Sequence, residues 1–323
     1  MHGWALGGSW RQGMGHRRPR RVRPFGMLVA LGLALGLALA GARGAWAAQG
    51  FPRTVVDELG VAIVLEEPPQ RIFSAGLAMD NVLLTITDPA RVVGVTRYAL
   101  DPESSFVVDQ VADHMIIVDR LNAEQVLAGQ PDIVLVTDWN DPDVVRQLRE
   151  LGVPLYTFTG FDSVEDALDM VLRIGEITGD DEAAAALVAD FRRRVDQLAA
   201  AIGQRPRPRV LYLDDWWATA GPGMAYHDMI ELAGGVNAAA EAGIRGWQPI
   251  DPEAVLTMNP DIIITPQGAE WVEQLRAHPV VQAVPAGRAG RIYPVDHIGI
   301  HSHHYILVIE QMARLFHPEA FAP

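Results

Sequence analysis

An internal repeat constrains this chain more than any other feature. Leu121-Asn-Ala-Glu124-Gln-Val-Leu127 runs on to Pro131-Asp132-Ile133-Val-Leu, and Ile250-Asp-Pro-Glu253-Ala-Val-Leu256 runs on to Pro260-Asp261-Ile262-Ile-Ile. Every matched residue is offset by 129 positions, without a gap. Each copy reads as a short helix, a Pro-Asp turn and a β-branched run, the pattern of a buried parallel strand. Solenoid units recur every ~20 to 50 residues, so a repeat this long marks a duplicated domain.

Between the copies, residues 163–203 contain no proline. The second half of that stretch carries Leu187, Val188, Phe191, Val195, Leu198 and Ile202 at helical spacing, with Asp190 and Arg194 as an i,i+4 ion pair. A helix over residues 180–203 spans roughly 36 Å, enough to cross a whole domain. It therefore reads as the connection between two similar lobes. In the first lobe, the apolar alternation over 51–65 predicts a hairpin turning near Glu58-Leu-Gly60, followed by strands at 71–75, 91–96, 133–137 and 153–158 and helices at 79–86 and 143–151. The second lobe repeats the order, with strands at 210–213, 262–265 and 291–295 and helices at 227–233, 270–277 and from about 303 to 316. The expected fold class is α/β: two similar Rossmann-like lobes with parallel sheets, joined by a single long α-helix, with a ligand cleft between the lobes. The boundaries are 1–47 for an export signal, 48–160 and 207–323 for the lobes, and 161–206 for the helical linker.

The first 47 residues have the three parts of an export signal. Arg17, Arg18, Arg20, Arg21 and Arg23 supply the positive region, residues 27–40 the apolar core and Ala45-Trp-Ala47 the small-residue site, which predicts cleavage before Ala48. The alternative is an uncleaved anchor, although 14 apolar residues fall short of the ~20 that span a bilayer. No cysteine occurs, which excludes disulfides, thiolate metal sites and a lipidated N-terminal cysteine. The mature chain is expected to be soluble in the periplasm. Removing the 7 arginines of the signal from 26 basic residues leaves 19 against 40 acidic ones, a formal net charge of −21. Such a balance argues against nucleic acid, whose phosphates need clustered cations.

Ligands of open α/β sheets bind outside the carboxyl ends of the strands, which puts Tyr98, Trp139, Trp216, Trp217 and Trp247 among the candidates, with Tyr226 just beyond Gly221-Pro-Gly223. Adjacent Trp216 and Trp217 are expected to point to opposite faces, so that only one of them reaches the cleft. Asp296-His297-Ile-Gly-Ile-His301-Ser302-His303-His304-Tyr305 holds four of the ten histidines. Ser302 is the expected N-cap of the last helix, and the helix dipole would keep the histidines neutral and open to a metal, with His301 and His303 the candidate ligands. Solvated histidines at a helix entrance are the plainer reading.

At this point the chain resembles the periplasmic substrate-binding proteins of ABC importers for iron chelates and vitamin B12, whose two lobes are joined by one long helix. The resemblance rests on Arg71-Ile-Phe-Ser, Val92-Val-Gly-Val-Thr with Tyr98 and Pro102, the two Glu motifs, Leu232-Ala-Gly-Gly-Val-Asn237 and Leu315-Phe-His-Pro318. It implies that Glu124 and Glu253 dock onto the permease, and that Tyr98, Trp247, Asp296 and His297 lie at cleft positions. Val118 and Thr137 stand where the vitamin B12 binders have further aromatics. The implied function is capture of a metal chelate and delivery to ABC permease transmembrane subunits with their cytoplasmic ATPase. Ferric siderophore ranks first, a cobalamin-like corrinoid next and heme third. No catalysis and no intrinsic cofactor are expected, the cargo being an iron or cobalt chelate and the protein a monomer. The rivals are a free Zn²⁺ or Mn²⁺ binder using the 297–304 histidines, and a chelatase-like enzyme.

Overall fold

The computed structural model describes residues 50–295 and 302–322. The export-signal reading of residues 1–47 and the positions Asp296, His297 and His301 lie outside them. Among the described residues, no helix is long and apolar enough to cross a membrane.

The chain starts with the expected hairpin, β1 (Arg53–Val56) against β2 (Ala62–Leu65), antiparallel with Arg53 opposite Leu65. Its turn is held by Asp57, whose Oδ1 accepts from the N–H groups of Leu59 and Val61. The first lobe then builds β3 (Ile72–Ser74), helix α1 (Leu77–Ile86), β4 (Val92–Thr96), β5 (Ile116–Val118), α2 (Ala123–Ala128), β6 (Ile133–Thr137), α3 (Pro142–Glu150) and β7 (Leu155–Phe158). The strands form one parallel sheet in the order β5-β4-β3-β6-β7. Strand β5 is absent from the sequence reading because it is a three-residue edge, too short to write a period. Phe73, Val93, Val126, Val134, Val136 and Leu148 pack one core against this sheet.

The linker is two helices, α4 (Val164–Thr178) and α5 (Asp181–Ile202). Gly179, left-handed at φ 81°, ends α4 and lets the chain turn, and the two helices pack along each other. Helix α5 is the long one, 22 residues, with bounds close to the sequence expectation. Its first end belongs to lobe one, where Asp180 accepts from Thr87 (2.7 Å) and Arg91 (3.1 Å). Farther along, Arg194 pairs with Glu310 (2.8 Å) of the last helix, and Ile202 lies against Gly234 of lobe two. The single helix therefore braces both lobes.

Lobe two comprises β8 (Arg209–Tyr212), β9 (Ala218–Ala220), α6 (Ala225–Leu232), β10 (Val236–Asn237), β11 (Trp247–Pro249), α7 (Ala254–Met258), β12 (Ile262–Thr265), α8 (Ala269–Ala277), β13 (Ile292–Pro294) and α9 (Tyr305–Phe316). Its main sheet is parallel, in the order β10-β8-β12-β13. The loop expected after β8 contains a strand: β9 pairs antiparallel with β11, so Trp247 belongs to a strand. Helix α9 starts later than expected. Ser302 does not cap it but accepts from the His304 N–H within a preceding turn, and His304 occupies the cap position.

The repeat is visible in atomic detail. The Asp132 carboxylate accepts from the Gln70 (2.7 Å) and Arg71 (3.0 Å) N–H groups, and Asp261 accepts from the Arg209 N–H (2.9 Å). Arg71 donates to the carbonyls of Gly129 and Gln130 at the end of α2, and Arg209 to that of Met258 at the end of α7. Each helix stops on a left-handed residue, Gln130 (φ 46°) and Asn259 (φ 44°), followed by proline.

Candidate ligand cleft

In both sheets the strand order reverses beside the first strand, between β3 and β6 in lobe one and between β8 and β12 in lobe two. The crevice outside the carboxyl ends at such a switch point is where α/β sheets bind ligands. Lobe one has a pocket of about 930 Å³ there. Its floor is Ala75 and Gly76 after β3, Thr96 at the end of β4 and Thr137 at the end of β6, and its walls include Tyr98, Trp139 and Phe161. Trp139 is 65% exposed, and its ring lies 4.8 Å from Phe161 at the start of the linker. Asn140 holds that loop: its Oδ1 accepts from the Thr137 N–H (2.7 Å) and its Nδ2 donates to the Ala75 carbonyl (3.1 Å). Val118 and Thr137, the positions lacking the aromatics of the vitamin B12 binders, do line the pocket.

The lining is acidic. Among the described residues that line it, Glu103, Asp119 and Asp141 contribute carboxylates and Arg120 a guanidinium. Arg97 is engaged at the rim, paired with Asp119 at 3.3 Å and lying over the Tyr98 ring. Below the floor, Asp80 of α1 is fully buried and accepts from the Thr96 N–H (3.1 Å) and hydroxyl (2.5 Å), while its Oδ1 has no partner. Burial pushes its carboxyl up to about 7, against the opposing pull of the Thr96 hydrogen bonds.

In lobe two, the carboxyl end of β8 is organised by Asp214. Its Oδ1 accepts from the Trp216 (3.0 Å) and Ala218 (2.8 Å) N–H groups, and its Oδ2 from the Trp247 indole (3.2 Å). Trp216 is 74% exposed and meets Trp247 edge-on at 6.2 Å. Trp217 corrects the expectation that it lines the cleft. It takes φ 55°, packs against the lobe core and lies edge-on to Trp271 at 6.1 Å. The two tryptophans do diverge, but the turn around Asp214 separates them and not a strand pleat.

Tyr226 is a second correction. Its ring lies on Tyr212 at 4.1 Å and its hydroxyl is buried with no partner among the described residues, so its polar end faces the lobe interior. His303 is the third: it is buried, 3.9 Å from the His304 ring, and burial with that neighbour pushes its imidazole down to about 3. It is neutral, as expected, but burial does this and also closes it to solvent. His304 stacks at 4.1 Å on Phe106, a cross-lobe contact. Among the described residues, no group of three or more His, Cys, Asp or Glu is placed to hold a metal ion. In the Gly221-Pro-Gly223 turn the Gly221 N–H is taken by the Gly246 carbonyl (2.8 Å). Glu124 and Glu253 are both exposed, at the starts of the equivalent helices α2 and α7.

Two parallel-sheet lobes braced by one long helix, with an aromatic-walled pocket at the strand ends of lobe one, give the architecture of a two-lobed binding protein. Residues 72–297 match the periplasmic binding protein family, and the chain belongs to it. A cobalamin-binding protein of Halobacterium salinarum is 28% identical over 278 residues, covering 83% of this chain and 74% of the relative. Among solved structures, a possible iron-binding periplasmic solute-binding protein of Staphylococcus epidermidis superposes with a TM-score of 0.69 at 20% identity, over 77% of this chain and 99% of that one. The periplasmic heme-binding protein RhuT of Roseiflexus gives 0.65 at 25% identity, over 78% and 99%.

Proposed function

We propose that this protein captures a corrinoid in the cleft and delivers it to an ABC importer. The observation that carries the choice of ligand is the acid-rich pocket. Among the described residues of its lining three carboxylates stand against Arg120, with Arg97 at the rim paired to one of them, and Tyr98 and Trp139 are flat apolar walls. Heme carries two carboxylates and catecholate siderophores are anionic, so both need more cationic groups than Arg120, with Arg97 already paired to Asp119, supplies. A corrin ring is rimmed by primary amides, whose N–H groups donate to carboxylates, and its broad faces suit aromatic walls. This moves the corrinoid ahead of the ferric siderophore that the sequence alone ranks first, and the 28% identical cobalamin-binding relative agrees. A neutral iron chelate is the alternative cargo. Free Zn²⁺ or Mn²⁺ has less support, because His303 is buried away from solvent and, among the described residues, no group of three or more His, Cys, Asp or Glu is placed to hold a metal ion.

Delivery is assigned to Glu124 and Glu253, one exposed carboxylate on each lobe at the same place in the repeat. Their partners would be cationic groups of the permease.

The test is titration of the purified protein, followed by tryptophan fluorescence, with cyanocobalamin, hemin, ferrichrome and ZnCl₂. Cyanocobalamin is expected to bind most tightly. Trp139→Ala is expected to weaken it at least about tenfold with little change in melting temperature, since the ring is mostly exposed. Tighter binding of hemin or zinc would overturn the assignment.

A further inference from the structure

The duplication sorts its own residues. Within the repeated segment, residues 121–135 and 250–264, six pairs are identical: Glu124/Glu253, Val126/Val255, Leu127/Leu256, Pro131/Pro260, Asp132/Asp261 and Ile133/Ile262. Folding accounts for four. Val126 and Val255, Ile133 and Ile262 are wholly buried. The prolines follow the left-handed residues that stop each helix, and the aspartates accept backbone N–H groups at the first strand of each sheet.

The other two pairs have no such role. The glutamates are exposed and have no partner among the described residues. Leu127 and Leu256 are exposed too, at 42% and 44%, although each sits one residue after a fully buried valine on a helix whose other face already fills the core. A single exposed leucine needs no explanation. Here the same leucine recurs at the same register, three residues after the same unpartnered glutamate, which puts both on one face of each helix.

We propose that Glu124 with Leu127, and Glu253 with Leu256, form two equivalent docking knobs, each entering one of two matching recesses on a membrane partner. Each recess pairs a cation with an apolar pocket. The inference rests on the transport reading, which assigns the glutamates to the permease and is silent on the leucines. Two observations select this occupant. The formal charge of −21 on residues 48–323 favours a basic surface, and the repetition of one knob on both lobes fits a partner that presents one recess twice. In such a contact the glutamate steers approach and register, while the leucine, desolvated on docking, supplies residence time.

A ligand-independent experiment tests it. The full chain is expressed in its own organism with a benzoyl-phenylalanine photo-crosslinker at position 124, 127, 253 or 256, and at exposed Leu172 of α4 as a control. The expected result is one and the same integral membrane polypeptide captured from all four positions and none from 172. With the crosslinker at 124, Leu127→Gln plus Leu256→Gln is expected to lower the yield at least about fivefold, at unchanged melting temperature. Capture from 124 and 253 but not from 127 and 256, or an undiminished yield in the double variant, overturns the leucine knobs and leaves the glutamate docking standing. No membrane polypeptide from any of the four positions overturns both, as does capture of different polypeptides by the two lobes.

Discussion

Two buried carboxylates shape the two halves of the cleft, and neither was among the candidates read from sequence. Asp214 gathers two backbone N–H groups and the Trp247 indole, which sets where Trp216 and Trp217 point. Asp80 lies under the pocket floor with its carboxyl raised to about 7 by burial. The sign of its effect follows from proton counting. Between the unfolded value of 3.8 and about 7 the folded state holds the proton and the unfolded state has lost it, so stability falls as pH rises across that window. The total is on the order of 4 kcal/mol. Asp80→Asn stays neutral throughout, so its unfolding free energy relative to wild type is expected to change little below pH 4 and to grow in the variant's favour from pH 4 to pH 8. Urea denaturation of both proteins at several pH values checks this, and a difference independent of pH would contradict it. A chain with forty acidic residues does not advertise which one is buried, because burial depends on what the rest of the fold packs over it.

The same division holds for the elements. The β6 and β12 strands, the first hairpin and the α5 helix stand close to where their patterns put them, since periodicity, turn residues and glycine stops are written within a few positions. The β9–β11 pairing and the β5 edge were missed: one joins segments nearly thirty residues apart, and both strands of that pair and the edge are only three residues long. The α4–α5 turn carries its own test. A Cβ on Gly175 of α4 would stand 2.4 Å from the Ala184 Cβ of α5, so this glycine sets how closely the two helices approach. Gly175→Ala is expected to destabilise the protein by about 1–3 kcal/mol through overpacking, and adding Ala184→Gly to restore most of it. Thermal melting of the single and double variants decides, and an undisturbed single variant would refute the close-packing account.

At the scale of the whole molecule, the lobes are braced rather than hinged. Helix α5 is bonded to lobe one through Asp180 and to the last helix through Arg194, and the Phe106–His304 stack ties the lobes at a second place. Ligand is therefore expected to change the radius of gyration by less than about 1 Å, against the large rotation of hinged binding proteins. Small-angle scattering with and without cyanocobalamin measures this, and a larger contraction would show that the helix bends. The sequence by itself determined the duplication, the two parallel-sheet lobes and the long helix between them, because each is encoded by short-range period and by a repeat that can be read in register. Only the tertiary structure decided that Trp139 lines the lobe-one pocket while Trp217 packs on a core, that His303 is interior, that the pocket is acidic and that Asp80 is buried. Those outcomes depend on surfaces brought together from distant parts of the chain, where desolvation and packing are set by neighbours that the local sequence does not contain.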